Sequence, residues 1–291
     1  MIRRLGSWFP SRSLSRLGRG GLLGGTLGMA VSAVAALYEA RYRAPYRPVL
    51  TRTRLRLPAG HQGLAGLRIA FLSDTHVGPF TSPDDLRRAV ALAAAEAPDL
   101  LLFGGDMISE GPRYAEPAAT VLGELARLTP CGAFAVVGNH DLVFGGPAVI
   151  AALERHGISM LRNQAARVDR DGQQLWIVGL DDAMVGAPDV EEAFRGVPEG
   201  AAVLALWHEG DFAGLVAAAG AFAQLSGHSH GGQVRLPLLG PVALPPGGRR
   251  FVIGMNAADD MPVYVSRGVG VYRPAVRINC PPEVTLITLE A

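Results

Sequence analysis

Lysine is absent: all 27 basic residues of the 291-residue chain are arginine, a bias that reflects genome composition more than chemistry. Cysteine is nearly absent. Two residues, Cys131 and Cys280, cannot build a disulfide framework or a four-thiolate metal site, and they are expected to be unpaired. Repeats and, after about residue 60, low-complexity linkers are missing too, so one domain is expected over 45–291. Hydrophobic residues make up 49% and the mean hydropathy is +0.23, which excludes disorder over most of the chain.

A net charge of +1 argues against a nucleic-acid binder, but the charge is unevenly spread. Residues 1–56 hold 11 arginines and a single acid, Glu39, for a net +10, so the remaining 235 carry −9. Within that basic leader (1–44), residues 20–38 carry no charge and would span about 28 Å as a helix, close to a bilayer's hydrocarbon thickness. Three readings fit this run. It is a single membrane anchor, an export signal with a small-residue site at Ala33-Val34-Ala35, or a buried core helix. The flanking arginines, Arg16 and Arg19 before and Arg41 and Arg43 after, disfavour the last. Arg3-Arg4 lies too far upstream for twin-arginine export. Beside an apolar run, the arginines favour an anionic-lipid contact over nucleic acid, and membrane association is the expected localisation, on an undetermined side.

In the body, apolar runs alternate with helical patterns. Residues 67–72 (LRIAFL), 100–103, 133–137 and 202–207 read as strands, and 83–97, 115–128, 147–156 and 212–219 as helices. Ser82 and Asp211 are the expected caps of the first and last of these helices. Residues 167–168 and 174–178 read as a hairpin, and the C-terminal part is β-rich. The pattern predicts an α/β sandwich with mixed sheets.

The residues at the strand ends carry the chemistry. Leu72 precedes Ser73-Asp74-Thr75-His76; Phe103 precedes Gly104-Gly105-Asp106; Val137 precedes Gly138-Asn139-His140-Asp141. Trp207 precedes His208, and Leu225 precedes Ser226-Gly227-His228-Ser229-His230. Five runs thus deliver Asp, Asn or His at carboxyl ends, where α/β sheets place ligand sites. Neutral imidazoles mixed with carboxylates and an amide suit Mn, Fe or Zn rather than Mg or Ca. Asp74 and His76 share an alternation that points both to one side of an extended segment, as do His228 and His230.

The ordered series D-x-H, G-D, G-N-H-D, single His and G-H-x-H resembles the calcineurin-like metallophosphoesterases, from about Leu67 to the C-terminus. The tail, with GHSHGGQVRLP, YVSRGVGVYRP and CPPE, is similar to the YkuE/YaeI-type membrane-associated branch and to a pyrophosphatase acting on a lipid A precursor. The resemblance implies a four-layer α/β/β/α sandwich of two mixed sheets, preceded here by a membrane-anchor helix. It implies two divalent transition-metal ions, one held by Asp74, His76 and His230, the other by Asn139, His208 and His228, with Asp106 bridging. Two carboxylates against two divalent ions leave a site that attracts phosphate, and a bridging water acidified by both ions is the implied nucleophile. His140 would bind the phosphate or protonate the leaving oxygen, or be merely structural; Asp141 either orients His140 or holds a turn. Gly210 stands where the branch has a proline, which bears only on local rigidity.

Asp181-Asp182 and Asp259-Asp260 read as solvated loops, and His61 and His156 as surface or helix-end residues. Arg267 and Arg277 could touch a phosphate, but pairing with acids of the body is the expectation. Residues 234–246 (VRLPLLGPVALPP) either wall a site for acyl chains or cover a sheet edge. The expected function is hydrolysis of a phosphodiester or pyrophosphate, down to a lipid-linked sugar nucleotide such as UDP-2,3-diacylglucosamine. The alternative is a non-catalytic metal-binding scaffold, which would be expected to have lost a ligand; all seven are present with His140. The oligomeric state is not legible.

Overall fold

The computed structural model describes residues 18–291, with side chains from 29 onward; Arg3-Arg4 and the rest of 1–17 lie outside the described residues. The chain divides between Glu39 and Ala40. A helix, α1 (Gly18–Tyr42), covers the uncharged run. The expected membrane-spanning anchor is not supported: among the described residues no helix is long and apolar enough to cross a membrane. Five glycines in the 19-residue run weaken it both as a helix and as an apolar span.

The body is built in chain order from β1 (Val49–Arg56), β2 (Arg68–Leu72), α2 (Pro83–Ala94), β3 (Leu100–Phe103), α3 (Ala115–Ala126), β4 (Ala133–Ala135), α4 (Asn139–Phe144), α5 (Gly146–Arg155) and β5 (Ser159–Met160). The second half continues with β6 (Gln164–Arg170), β7 (Gln173–Gly179), α6 (Val190–Ala193), β8 (Ala202–Leu206), α7 (Ala213–Ala218) and β9 (Ala223–Ser226). It closes with β10 (Arg235–Leu236), β11 (Gly240–Pro241), β12 (Gly254–Ala258), β13 (Met261–Val265) and β14 (Glu283–Glu290). One sheet has the order β1-β14-β2-β3-β4-β5, parallel except that β14 runs antiparallel to β2. The other has the order β12-β13-β9-β8-β7-β6, parallel in its middle and antiparallel at both edges.

Strand alternation sets the layers. In β2, Ile69 and Phe71 face a core shared with the other sheet, while Ala70 and Leu72 face a second core with the helices. In β8, Leu204 and Leu206 enter the shared core, and Val203 and Ala205 a third, with Ala213 and Val216 of α7. Helices α2, α3 and α5 cover the first sheet and α6 and α7 the second, giving the expected α/β/β/α sandwich. Helix α2 starts as the sequence predicts. Ser82 Oγ accepts from Asp85 N at 3.2 Å, Ser82 N donates to the Asp85 carboxylate at 3.0 Å, and Pro83 opens the first turn. Its buried face is Leu86, Ala89, Val90 and Ala93.

Several local expectations need correction. Asp211 does not cap α7; its carboxylate accepts the backbone N–H groups of Arg249, Arg250 and Phe251. Asp181 and Asp182 are buried, not solvated. Asp181 receives a two-pronged pair from Arg162 at 2.8 and 2.9 Å, and Asp182 caps a turn through Met184 and Val185 N–H. Arg267 pairs with Glu283 as expected, but among the described residues Arg277 forms no ion pair. It is buried and donates to the carbonyls of Arg267, Gly268, Gly270 and Cys280. Both cysteines are free.

Candidate metal centre

The carboxyl ends of β2, β3, β8 and β9 open onto one edge where the sheets are stitched together. Asp74 N donates to Gly105 O at 2.8 Å and His76 N to Asp106 O at 3.1 Å, which joins the loops after β2 and β3. His208 Nδ1 lies 2.6 Å from Gly104 O, and His228 N donates to Asp74 Oδ1 at 2.9 Å, which joins the second sheet to the first. The loop after β4 turns directly into α4, an element the sequence reading missed, so Asn139 and His140 sit in its first turn.

These bonds bring the donor atoms together. His76 Nε2 lies 2.9 Å from His230 Nε2 and 3.5 Å from Asp106 Oδ2. His230 Nε2 is 3.5 Å from Asp74 Oδ1, and His208 Nε2 is 3.3 Å from Asp106 Oδ2 and 4.0 Å from Asp74 Oδ1. Three triads are close enough to hold an ion: Asp74, His76 and His230; Asp74, Asp106 and His208; and His76, Asp106 and His140. At metal–ligand distances of about 2.0–2.2 Å, neighbouring ligand atoms stand roughly 3.0–3.5 Å apart, which matches this spacing. Asp106 lies between His76 and His208. The His228 ring is 5.0 Å from that of His208, with its Nε2 engaged by Pro246 O at 2.7 Å, which leaves Nδ1 for an ion. Asp74 Oδ2 and Asn139 Oδ1 are buried without a hydrogen-bond partner, an arrangement that costs free energy unless a cation completes it. The residues present fit a pair of divalent ions.

The backbone is strained here. Asp74, His76, Asp106, His228 and His230 all have φ between 44° and 67°. That region costs a non-glycine residue about 1–2 kcal/mol. Five such residues in one cluster indicate that side-chain placement overrides local preference. Gly138 and Gly227 permit the close approach: a Cβ on Gly138 would collide with Asp106 Oδ1, and one on Gly227 with Asp74 Oδ2.

Burial dominates the electrostatics. It raises the Asp74 carboxyl to about 6, with Asp106 adding to the rise and His208 opposing it. It lowers His76 to about 3 and His228 to about 4, and it holds His230 well below the usual imidazole value. All three are thereby kept neutral near pH 7, the form in which an imidazole can bind an ion. Burial also opposes ionisation of Asp106, but His208 and His76 outweigh it and keep that carboxyl well below its ordinary value. In the metal-free protein, Asp106 and Asp74 raise His208 well above its ordinary value against the cost of burial.

Asp141 does not touch the His140 ring. Its buried carboxylate accepts N–H groups of Met107, Ile108 and Gly138, so it holds the turn between the Asp106 and Asn139 loops. What faces His140 Nδ1 is Ser109 O at 3.3 Å, while the backbone His140 N donates to Asp106 Oδ1 at 2.8 Å. The sequence reading also missed Tyr272, whose ring centroid stands 4.3 Å from that of His140 and 5.6 Å from that of His76. Its signal was its place in YVSRGVGVYRP, read only as part of a resemblance. A cavity of about 610 Å³ opens from Asp106, Asn139 and His140 and continues along Val234, Val242, Ala243, Leu244 and Pro245.

Known proteins carry the same pattern. The calcineurin-like phosphoesterase family matches residues 67–173. The chain is 34% identical to the metallophosphoesterase YkuE of Bacillus subtilis over 79% of its length and 81% of that protein. The chain belongs to the calcineurin-like phosphoesterase family. It is likewise 34% identical to phosphodiesterase YaeI of Escherichia coli, over 81% of this chain and 87% of that protein. A transmembrane protein with a metallophosphoesterase domain from Danio rerio is 29% identical over 91% of this chain and 62% of its own length. The chain is therefore a phosphoester hydrolase, and the converging Asp and His side chains of this calcineurin-like phosphoesterase are its candidate metal ligands.

Proposed function

We propose that this phosphoesterase uses two divalent transition-metal ions, Mn, Fe or Zn, to hydrolyse phosphodiester or pyrophosphate bonds. The observation that carries the reading is Asp106, whose Oδ2 stands 3.5 Å from His76 Nε2 and 3.3 Å from His208 Nε2, a bridging position between two ligand sets. Asp74, His76 and His230 would hold one ion; Asn139, His208 and His228 the other. When bound, the ions supply Lewis-acid polarisation of the phosphoryl group and acidify water. The chain's own residues do the rest. His140, fixed through its backbone to Asp106 and flanked by Tyr272, lines the cavity where a phosphoryl oxygen would sit. From there it can hydrogen-bond that oxygen or protonate the leaving group. Asp141 keeps the two ligand loops in register.

Within this reading the substrate is a lipid-linked diphosphate, of which a UDP-2,3-diacylglucosamine-like sugar nucleotide is the type. Support comes from the apolar wall at Val234, Val242 and Leu244, which continues the cavity away from the ligand set and suits acyl carbon. The arginine-rich leader belongs to the same proposal, as a membrane-proximal segment; fractionation of the intact chain tests it, and a wholly soluble protein of uncut mass would remove it. The deciding assay is kcat/KM over a panel of monoesters, diesters and diphosphates with added Mn²⁺, including an acylated sugar nucleotide and its deacylated form in detergent. Preference for the acylated diphosphate supports the reading. Equal values for the two forms remove acyl recognition, and no turnover of any diester or diphosphate removes the reaction class.

A further inference from the structure

We propose that Arg273 binds the second phosphate of a diphosphate substrate, so that this side chain selects diphosphates over simple diesters. The assignment deepens the diphosphate reading above and rests on it. Among the described residues that line the cavity, Arg273 is the one permanent cation. Asp106, Asn139, His140, His228 and His230 of the same lining belong to the candidate metal centre, and the wall beyond them is apolar along Val234, Val242 and Leu244. Once bound, the ions would serve the phosphoryl group under attack. A diphosphate diester carries a further negative charge one bridging oxygen away. Beside an apolar wall that charge is costly unless a cation meets it.

The guanidinium is presented from a fixed base. Gln233 Oε1 accepts Tyr272 N at 3.0 Å, and Gln233 Nε2 donates to Tyr272 O at 3.0 Å and Pro274 O at 2.6 Å. The main chain is thus held on both sides of Arg273. Gln233 is itself buried and lies three residues after His230, so this clamp and a metal-ligand candidate share one loop. The neighbouring Tyr272 ring stands 4.3 Å from that of His140, which ties the 272–274 segment to the side chain that faces the phosphoryl oxygen.

The present partner of Arg273 marks it as an anion site. Arg273 Nη2 donates to Glu110 Oε1 at 2.8 Å, with the two side chains 63% and 33% exposed. An ion pair this exposed is weak, and phosphate oxygens accept from the same N–H fork as a carboxylate. Among the described residues Arg273 Nε and Nη1 have no hydrogen-bond partner, so the guanidinium has donors to spare. Arg41 lies over the Phe80 ring at 5.6 Å and Arg273 over the same ring at 5.8 Å, so the one charge of Glu110 does not neutralise this edge. The other arginines of this segment are committed: Arg267 pairs with Glu283, and Arg277 is buried among carbonyls.

The test titrates the Mn²⁺-loaded full chain calorimetrically with two phosphonates. One is the P,P′-bis(4-nitrophenyl) ester of methylenediphosphonate, which carries two negative charges; the other is 4-nitrophenyl methylphosphonate, which carries one. Wild type should bind the doubly charged ligand about tenfold more tightly, the scale of a charge-assisted hydrogen-bonded contact. Arg273→Gln should bring the ratio of the two affinities close to one. Glu110→Gln removes the same ion pair but keeps the cation, and it should keep the wild-type ratio. Equal affinities in wild type overturn the proposal. An unchanged ratio in Arg273→Gln overturns it as well, whether both affinities stay or both fall together. Loss of the ratio in Glu110→Gln overturns it too, because the ion pair rather than a phosphate contact would then carry the effect. Binding of neither ligand removes the metal-site reading, and the assignment of Arg273 falls with it. Binding of both ligands without the expected ratios removes the assignment alone, and no arm depends on turnover.

Discussion

Replacing Gly138 by alanine adds one methyl group at a crowded point of the candidate metal centre. The Cβ would overlap Asp106 Oδ1 and stand 2.7 Å from Asp106 N and 2.8 Å from Asp106 Cγ, closer than real Cβ atoms come. Gly138 has φ −112° and ψ 176°, which alanine adopts freely, so the whole effect is steric. Overpacking of this kind costs about 1–3 kcal/mol in a well-packed interior. The strain falls on the carboxylate that stands between the two ligand sets. A displacement of about 1 Å at reacting groups costs on the order of 10²-fold in rate. Gly214→Ala supplies the control. Gly214 lies inside α7 with nothing within 4 Å of its would-be Cβ, so alanine should stabilise by up to about 1 kcal/mol through helix propensity. For a body of this size that corresponds to roughly 2–4 °C in melting temperature. The pair is measured by thermal unfolding after chelation and by phosphodiester hydrolysis with Mn²⁺. Gly138→Ala should lose about 10²-fold in kcat/KM with weakened metal binding; Gly214→Ala should be fully active and slightly more stable. Wild-type activity and metal content in Gly138→Ala would refute the reasoning.

His140→Ala should lower turnover by roughly 10²-fold while metal content survives, since general acid–base and charge-stabilising groups contribute on that scale. Elemental analysis decides the point, and loss of an ion would make His140 a ligand, as its proximity to His76 and Asp106 allows. Asp106→Ala should bind less than one ion per chain by the same measurement, and unchanged occupancy would remove the bridge. Metal affinity should fall as pH drops from 7 through 6. His208, raised above its ordinary value, must shed a proton to become a ligand, and Asp74, at about 6, competes for protons below that pH. Calorimetry in buffers of different ionisation enthalpy should record proton release on loading, and an affinity flat from pH 7 to 6 would contradict the assignment.

Much of this was legible because strand alternation and strand-end residues are local signals. LRIAFL reads as a buried strand on sequence alone, and SDTH after it puts Asp74 and His76 where a parallel sheet exposes its ends. The roles of other residues depend on long-range partners. Asp211, two residues before a helix, looks like its cap, but it serves the N–H groups of Arg249 to Phe251 nearly 40 residues away. Asp181 looks solvated until Arg162 folds beside it. Arg277 looks like half of a salt bridge. Instead it gathers the carbonyls of the 267–270 turn, whose Val269 and Gly270 N–H groups donate to Ser73 O and Asp74 O behind the metal centre. Tyr272 gave no periodic or motif signal of its own, and only the folded chain brings its ring against His140. The 20–38 run shows the converse: absence of charge promised a membrane span, and its five glycines weaken that inference.

The dinuclear reading is tested most directly by titrating the chelated full-length protein with Mn²⁺ while following both bound metal and hydrolysis of a soluble phosphodiester. The arrangement of Asp106 between His76 and His208 predicts negligible activity without metal and a rise that reaches its plateau at about two ions per chain. Full activity at one ion per chain, or hydrolysis that persists in excess chelator, would contradict it.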